Sequence, residues 1–148
     1  MQHYEDIEVG SRDRFGSYAV TRDEVIAFAT AYDPQPFHLD DEAAAATHFG
    51  RLSASGWHTC AMTMRMLVER MADRQQAGLG SPGVEQLRWL KPVYPGDTLR
   101  CESEVLDKRR SQSRPDMGLY RSRLSVLNQN GETVMEMVST GLIRVRDP

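Results

Sequence analysis

The stretch Tyr32-Asp33-Pro34-Gln35-Pro36-Phe37-His38-Leu39-Asp40 places one acid and one imidazole on a segment with little conformational freedom. Proline fixes its own backbone and restricts the residue before it, so Pro34 and Pro36 end any helix arriving from Val25–Tyr32. A stiff turn of this kind aims Asp33 and His38 at one point. A carboxylate beside an imidazole is the usual pair for moving protons onto and off water, which is the chemistry of a hydratase or dehydratase. Taken singly, each residue has a plainer explanation. Asp33 before a proline can close a turn with its own backbone, and His38 alone reads as a partly buried, hydrogen-bonded histidine. The pair at this spacing, with a further motif at Pro92–Leu99, favours the catalytic reading.

The elements that must position this pair can be read on either side of it. Tyr4–Gly10 reads as an extended lead-in ending at a glycine turn, and Arg12–Val20 as a first strand. Thr21-Arg22-Asp23-Glu24 has the form of a capping box. Val25, Phe28, Ala29 and Tyr32 follow at helical spacing, so residues 22–32 predict an amphipathic helix. Asp40 or Asp41 caps a short alanine-rich helix through Glu42–Thr47. His48–Ser55 is an irregular connection, and Gly56 opens the most apolar helix of the chain. From Trp57 to Met71 the apolar residues sit almost all round it, which predicts a helix wrapped by other structure. Roughly 15 residues make it about 22 Å long, the span of a small sheet.

Downstream the pattern changes to strands. Arg74–Gly83 reads as a polar, glycine-containing loop, Val84–Leu90 as a strand, and Pro92 through Asp97 as a tight turn. Thr98–Leu106 alternates, with Leu99, Cys101, Ser103 and Val105 on one face. Asp107–Gly118 reads as a polar excursion. Leu119–Leu127 is a strand, Asn130-Gly131 favours a hairpin turn, and Thr133–Arg146 is a long final strand with Met135, Met137, Gly141, Ile143 and Val145 on one face. The fold class expected is α+β: a long central apolar helix with a curved antiparallel sheet around it.

Composition bounds the rest. A chain of 148 residues is one domain by prior and long enough for a real core. Apolar content of 40% and charged content of 26% are ordinary for a globular protein. A net charge of −3 argues against a general nucleic-acid binder. Cys60 and Cys101 lack metal or redox spacing and read as reduced, buried residues of a cytoplasmic protein. Met1–Gly10 has no apolar core of a signal peptide. The apolar stretch Trp57–Met71 is too short and too interrupted, by Arg65, Glu69 and Arg70, for a membrane span.

Asp33-Pro34-Gln35-Pro36-Phe37-His38 resembles the D-x-N-P-x-H signature of MaoC-like (R)-specific enoyl-CoA hydratases, which are hotdog-fold proteins. Tyr4–Gly10 resembles the N-terminal entry of that family. Phe49-Gly50-Arg51 followed by Ser55-Gly56-Trp57-His58 resembles the run into its central helix, and Leu90–Leu99 resembles its strand–turn–strand. The resemblance covers nearly the whole chain in the expected order. One departure is Gln35, where the signature prefers asparagine; the amide is kept but reaches one methylene further.

The resemblance implies reversible hydration of a trans-2-enoyl-CoA to an (R)-3-hydroxyacyl-CoA, in some branch of fatty acid metabolism. Asp33 and His38 would activate one water between them, and the backbone N–H of Gly56 would hold the thioester oxyanion at a helix N-terminus. Glycine there lets the oxygen approach the N–H. Substrate-binding roles fall to Gln35, Phe37, Ser55 and Trp57 around the acyl pocket. Arg109 and Arg110, in a basic cluster with Lys108 and Arg114, pair with coenzyme A phosphates in the sharper reading and form a solvated hairpin end in the plainer one. No metal, flavin or nicotinamide is required; coenzyme A belongs to the substrate. The family implies a homodimer, and long exposed sheet edges give a physical reason for one. His58 reads as a core histidine bonded to backbone, His48 as a helix-end residue. Two rival functions keep the same fold: a thioesterase releasing free coenzyme A, and a non-catalytic acyl-CoA-binding module.

Overall fold

The first helix begins where its cap says it should. Thr21 Oγ1 accepts from the Glu24 N–H, and α1 runs Arg22–Tyr32. Only half of the capping box forms, because the Glu24 carboxylate accepts instead from the Tyr18 hydroxyl at 2.6 Å. Asp40 caps α2 (Asp41–Ala45) by accepting from the Ala43 N–H. The long helix α3 spans Gly56–Asp73, 18 residues or about 27 Å, with Ser55 as its N-cap. The computed structural model describes residues 1–148.

Five antiparallel strands form one sheet that packs along α3: β1 (Arg12–Ala19), β2 (Gly78–Trp89), β3 (Thr98–Arg110), β4 (Met117–Leu127) and β5 (Thr133–Arg144). Their spatial order is β1-β3-β4-β5-β2, so β1 and β2 are the free edges. Fully buried Leu99, Cys101, Val126 and Met135 come from neighbouring central strands and pack against Met62 and Met66 of α3. Burying each such side chain contributes about 1.5–3 kcal/mol. Gly16, at φ +84°, leaves room for Met66, whose sulfur lies 2.6 Å from where a Cβ would stand. This is the helix-in-curved-sheet arrangement of the hotdog fold. No helix is long and apolar enough to cross a membrane.

Four sequence expectations are corrected. The loop expected over 74–83 is strand from Gly78 onward: Gly78 pairs with Ile143 and Gly80 with Leu142, and bulges absorb the glycines at the sheet edge. The polar excursion expected over 107–118 shrinks to six residues. Its charges pair across strands, as in the Asp107–Arg121 bridge, and so do not interrupt the ladder. The lead-in contains a 3-10 turn over Tyr4–Asp6 where Asp6 accepts from the His3 N–H.

The fourth concerns α3, which is not covered all round. Its buried residues, His58, Thr59, Met62, Thr63 and Met66, form one stripe. Trp57, Met64 and Val68 are 59%, 48% and 50% exposed on another. A curved sheet of one chain wraps only the part of a helix that its strands can reach.

Candidate active site

Asp33 stands at the end of α1 because the chain cannot continue as helix. Its N–H still donates to Ala29 O at 2.9 Å, but Pro34 blocks the next turn and the backbone leaves the helical region (φ −148°, ψ 66°). Pro36 then starts a 3-10 turn through His38, with the His38 N–H donating to Gln35 O. The carboxylate is fully engaged. Oδ1 accepts from Gln35 Nε2 at 2.7 Å and Oδ2 from the Ser55 hydroxyl at 2.7 Å. Partial burial alone raises the carboxyl pKa. Hydrogen bonds from Gln35 and Ser55, with His38 nearby, outweigh that and hold it below the ordinary aspartate value.

His38 is buried, and its two ring nitrogens have different partners. Nδ1 lies 2.7 Å from Ser53 O. A carbonyl oxygen only accepts, so Nδ1 carries a proton, and in the neutral form of the ring the lone pair is at Nε2. Nε2 faces Asp33 Oδ2 at 3.5 Å. Both groups are acceptors in that state, and a molecule that donates two hydrogens at once satisfies both; water is one. Phe37 packs edge-on against the imidazole at 4.6 Å and stacks on Phe49, fixing the ring plane.

The irregular segment before α3 is buried from Leu52 to Ser55 and pinned from two sides. The Leu52 N–H donates to Asp41 Oδ1, and the Ala54 N–H donates to Val93 O. Tyr94 donates its hydroxyl hydrogen to Phe49 O. The downstream motif at Leu90–Leu99 thus anchors the segment that supplies Ser53 O and Ser55 Oγ.

Gly56 is the first residue of α3, and its N–H has no acceptor within the protein. The structure gives glycine a further reason at this position. The Trp89 indole lies over its Cα, so that an added Cβ would meet ring atoms at 2.5–2.8 Å. Trp89 Nε1 also donates to Gly56 O at 2.9 Å. Sequence reasoning missed Trp89, because nothing in its neighbourhood signals a partner 33 residues earlier. Ser55 spends its hydroxyl on Asp33 and accepts from the Trp57 N–H at 3.3 Å. Trp57 lies beside Gly56 and meets Trp89 edge-on at 5.0 Å.

Arg109 and Arg110 are not brought to this point within the chain. Trp89 pairs with Met135, Met135 with Val126 and Val126 with Cys101, which sets the sheet level of Gly56. Arg109 is roughly eight residues further along β3, about 25 Å away. Arg110 contacts Glu5 and Asp147 O, and Lys108 lies over the Tyr4 ring.

His58 departs from expectation as well. It stacks flat on Phe28 at 4.8 Å, and Nδ1 is buried with no partner instead of bonding backbone. Burial pushes its pKa down, with Glu24 working the other way. His48 is exposed and packs on Phe49.

A hollow of about 930 Å³ lies elsewhere in the chain. It opens between the C-terminal half of α3, at Met64, Leu67 and Met71, and the small residues Ser122 and Ser139 of the sheet. Neither Asp33, His38 nor Gly56 lines it.

Three kinds of likeness bear on this geometry. A family model described as the MaoC like domain matches residues 8–124. The solved MaoC-like dehydratase from Rhodospirillum rubrum is 40% identical, with a TM-score of 0.89 over the full length of both chains. The unliganded (R)-hydratase PhaJ1 of Pseudomonas aeruginosa is 25% identical with a TM-score of 0.71, covering 99% of this chain and 91% of that one. The mesaconyl-CoA hydratase of Cereibacter sphaeroides is 45% identical over 65 residues, which is 44% of this chain but 19% of that enzyme. The match of the family model over most of the chain, on the fold and turn described above, makes this protein a member of the MaoC-like domain family.

Proposed function

We propose that this protein is an (R)-specific hydratase/dehydratase that interconverts trans-2-enoyl-CoA and (R)-3-hydroxyacyl-CoA. The observation that carries the reading is His38 Nε2 facing Asp33 Oδ2 at 3.5 Å while Nδ1 is held by Ser53 O, which leaves Nε2 of the neutral ring as the base. A water held between them donates one hydrogen to each. His38 takes a proton as the water oxygen bonds to C3 of the enoyl group. The C2–C3 π electrons move onto the thioester, and the oxyanion is met by the free Gly56 N–H at the positive end of α3. The imidazolium, beside an ionised carboxylate, then returns the proton to C2. Asp33 orients the water and stabilises that imidazolium; its depressed pKa keeps it charged throughout. Gln35 acts on Asp33 in this scheme, and Phe37 holds the imidazole plane.

Hydratases among the similar proteins support the reaction class, and one of them acts on a coenzyme A thioester by its name. The scheme uses no metal or redox cofactor. A homodimer belongs to the same proposal. The exposed stripe Trp57–Met64–Val68 of α3 and the exposed Val84 and Trp89 on the free edge strand β2 offer apolar surface suited to a second copy. Such a pairing is also how Arg109 and Arg110 of one protomer would reach a coenzyme A bound at the other.

The experiment is an absorbance assay of crotonyl-CoA that follows loss of the enoyl thioester, run beside a free-thiol assay. The expected result is chromophore loss without thiol release, with chiral analysis giving the (R) product. Thiol release would replace this reading with the thioesterase.

A further inference from the structure

We propose that Trp89, on the edge strand β2, is a positioning residue that sets Asp33 through the first peptide of α3 and the Ser55 hydroxyl; the inference rests on the hydratase reading. Two contacts from the one indole hold that peptide. The indole covers the Gly56 Cα so closely that no Cβ fits, and Nε1–H donates to the Gly56 carbonyl at 2.9 Å. The edge-on Trp57 ring closes the other side of the indole.

The Gly56 carbonyl and the Trp57 N–H belong to one peptide group. A hydrogen bond accepted at the oxygen polarises the group and strengthens the N–H as a donor. That N–H points to Ser55 Oγ at 3.3 Å. A serine hydroxyl has one hydrogen and turns freely unless its acceptor side is occupied. With the Trp57 N–H on its lone pair, the Ser55 hydrogen is committed to Asp33 Oδ2 at 2.7 Å, the oxygen that faces His38. The relay runs Trp89 to peptide to Ser55 to Asp33 without a break. Trp89 meets the Gly56 Cα and carbonyl but makes no hydrogen bond or ring contact to Asp33 or His38. Its backbone is fixed by pairing with Met135 and by the next residue, Leu90, whose N–H donates to Val134 O. The sheet edge and the acid/base pair are therefore mechanically joined.

The test is a double-mutant cycle of Trp89→Phe and Ser55→Ala in the full chain. Phenylalanine keeps an aromatic ring on β2 and removes the donor together with part of the indole that lies over Gly56. Two readouts are taken: kcat and KM for crotonyl-CoA hydration, and the titration midpoint of the Asp33 carboxyl carbon by NMR. The second needs no turnover, so it decides the inference even where hydration is absent and the hydratase reading has failed. Trp89→Phe is expected to lower kcat about 3–10-fold, one hydrogen bond's worth, with KM within about twofold. It is also expected to raise the Asp33 midpoint, and to do neither in the Ser55→Ala background. Gly56→Ala, which drives a methyl into the indole, should raise the midpoint too and covers the case of a poorly folded Trp89→Phe. An unmoved Asp33 midpoint in both variants, or equal effects of Trp89→Phe with and without Ser55, would overturn the relay and leave Trp89 as packing.

Discussion

The two ends of α3 share one helix and one sheet, yet they are built for different things. At the N-terminal end Ser55, Asp33 and His38 meet through contacts of 2.7 and 3.5 Å, next to the free Gly56 N–H. At the C-terminal end lies the hollow of about 930 Å³. There Asp13 of β1 accepts from Arg70 at 2.9 and 3.0 Å and from Arg74 at 2.7 Å. Those arginines lie where helix carbonyls are left over, and the field there suits cations. No imidazole lines that end. A roomy hollow therefore does not by itself mark the site proposed for the chemistry. An oxyanion needs donors, and only the N-terminal end of the helix supplies a free one beside a base.

The contrast can be broken most severely at the imidazole. His38→Ala and Asp33→Asn are each expected to lower the hydration rate constant by about 10²–10⁴-fold while circular dichroism and the unfolding midpoint stay close to the parent. Near-parental hydration by both variants would end the assignment of the acid/base pair. The middle of the helix should answer differently. Met66→Ala removes a fully buried side chain under Gly16 and should cost about 2–5 kcal/mol in denaturant unfolding. A loss well below 1 kcal/mol would mean that the core does not centre on α3.

At the far end, Asp13→Asn removes the negative charge and one of the two oxygens that the arginines share. With both partly exposed, about 1–2 kcal/mol of stability should be lost after screening, with kcat within about twofold. A collapse of kcat comparable to that of His38→Ala would show that the two ends are one site.

The finest test is in pH. Asp33 has its pKa lowered on folding, so it contributes stability above the unfolded aspartate value and loses it as pH falls through the folded value. Ser55→Ala or Gln35→Leu removes a donor to the charged form, which raises the folded pKa. The acid limb of the hydration profile should then move to higher pH, and an acid limb that stays in place would disconnect it from Asp33. Cys101, whose thiol burial pushes up to about 12, should resist alkylation in the native protein and react only on unfolding. Native labelling at mildly alkaline pH would show that the β3 side of the core opens.

The local parts of this protein were legible in its sequence. The Thr21 cap, the apolar periodicity of α1, the Asn-Gly hairpin and the two prolines act through bonds and neighbours a few residues away. They therefore determined that Asp33 and His38 share a stiff turn and that a helix begins at Gly56. Strand limits were less legible, because Gly78–Gly83 and Asp107–Arg110 lack strand propensity and are held by pairing with β5 and β4. What only the tertiary structure decided are contacts between residues far apart in the chain. These are the Ser53 carbonyl that sets the His38 tautomer, the Ser55 hydroxyl on Asp33 from 22 residues away, and the Trp89 indole on Gly56. The exposed stripe of α3 belongs with them. Hydrophobic periodicity says which residues avoid water, whereas strand register and sheet curvature decide which of them one chain can cover.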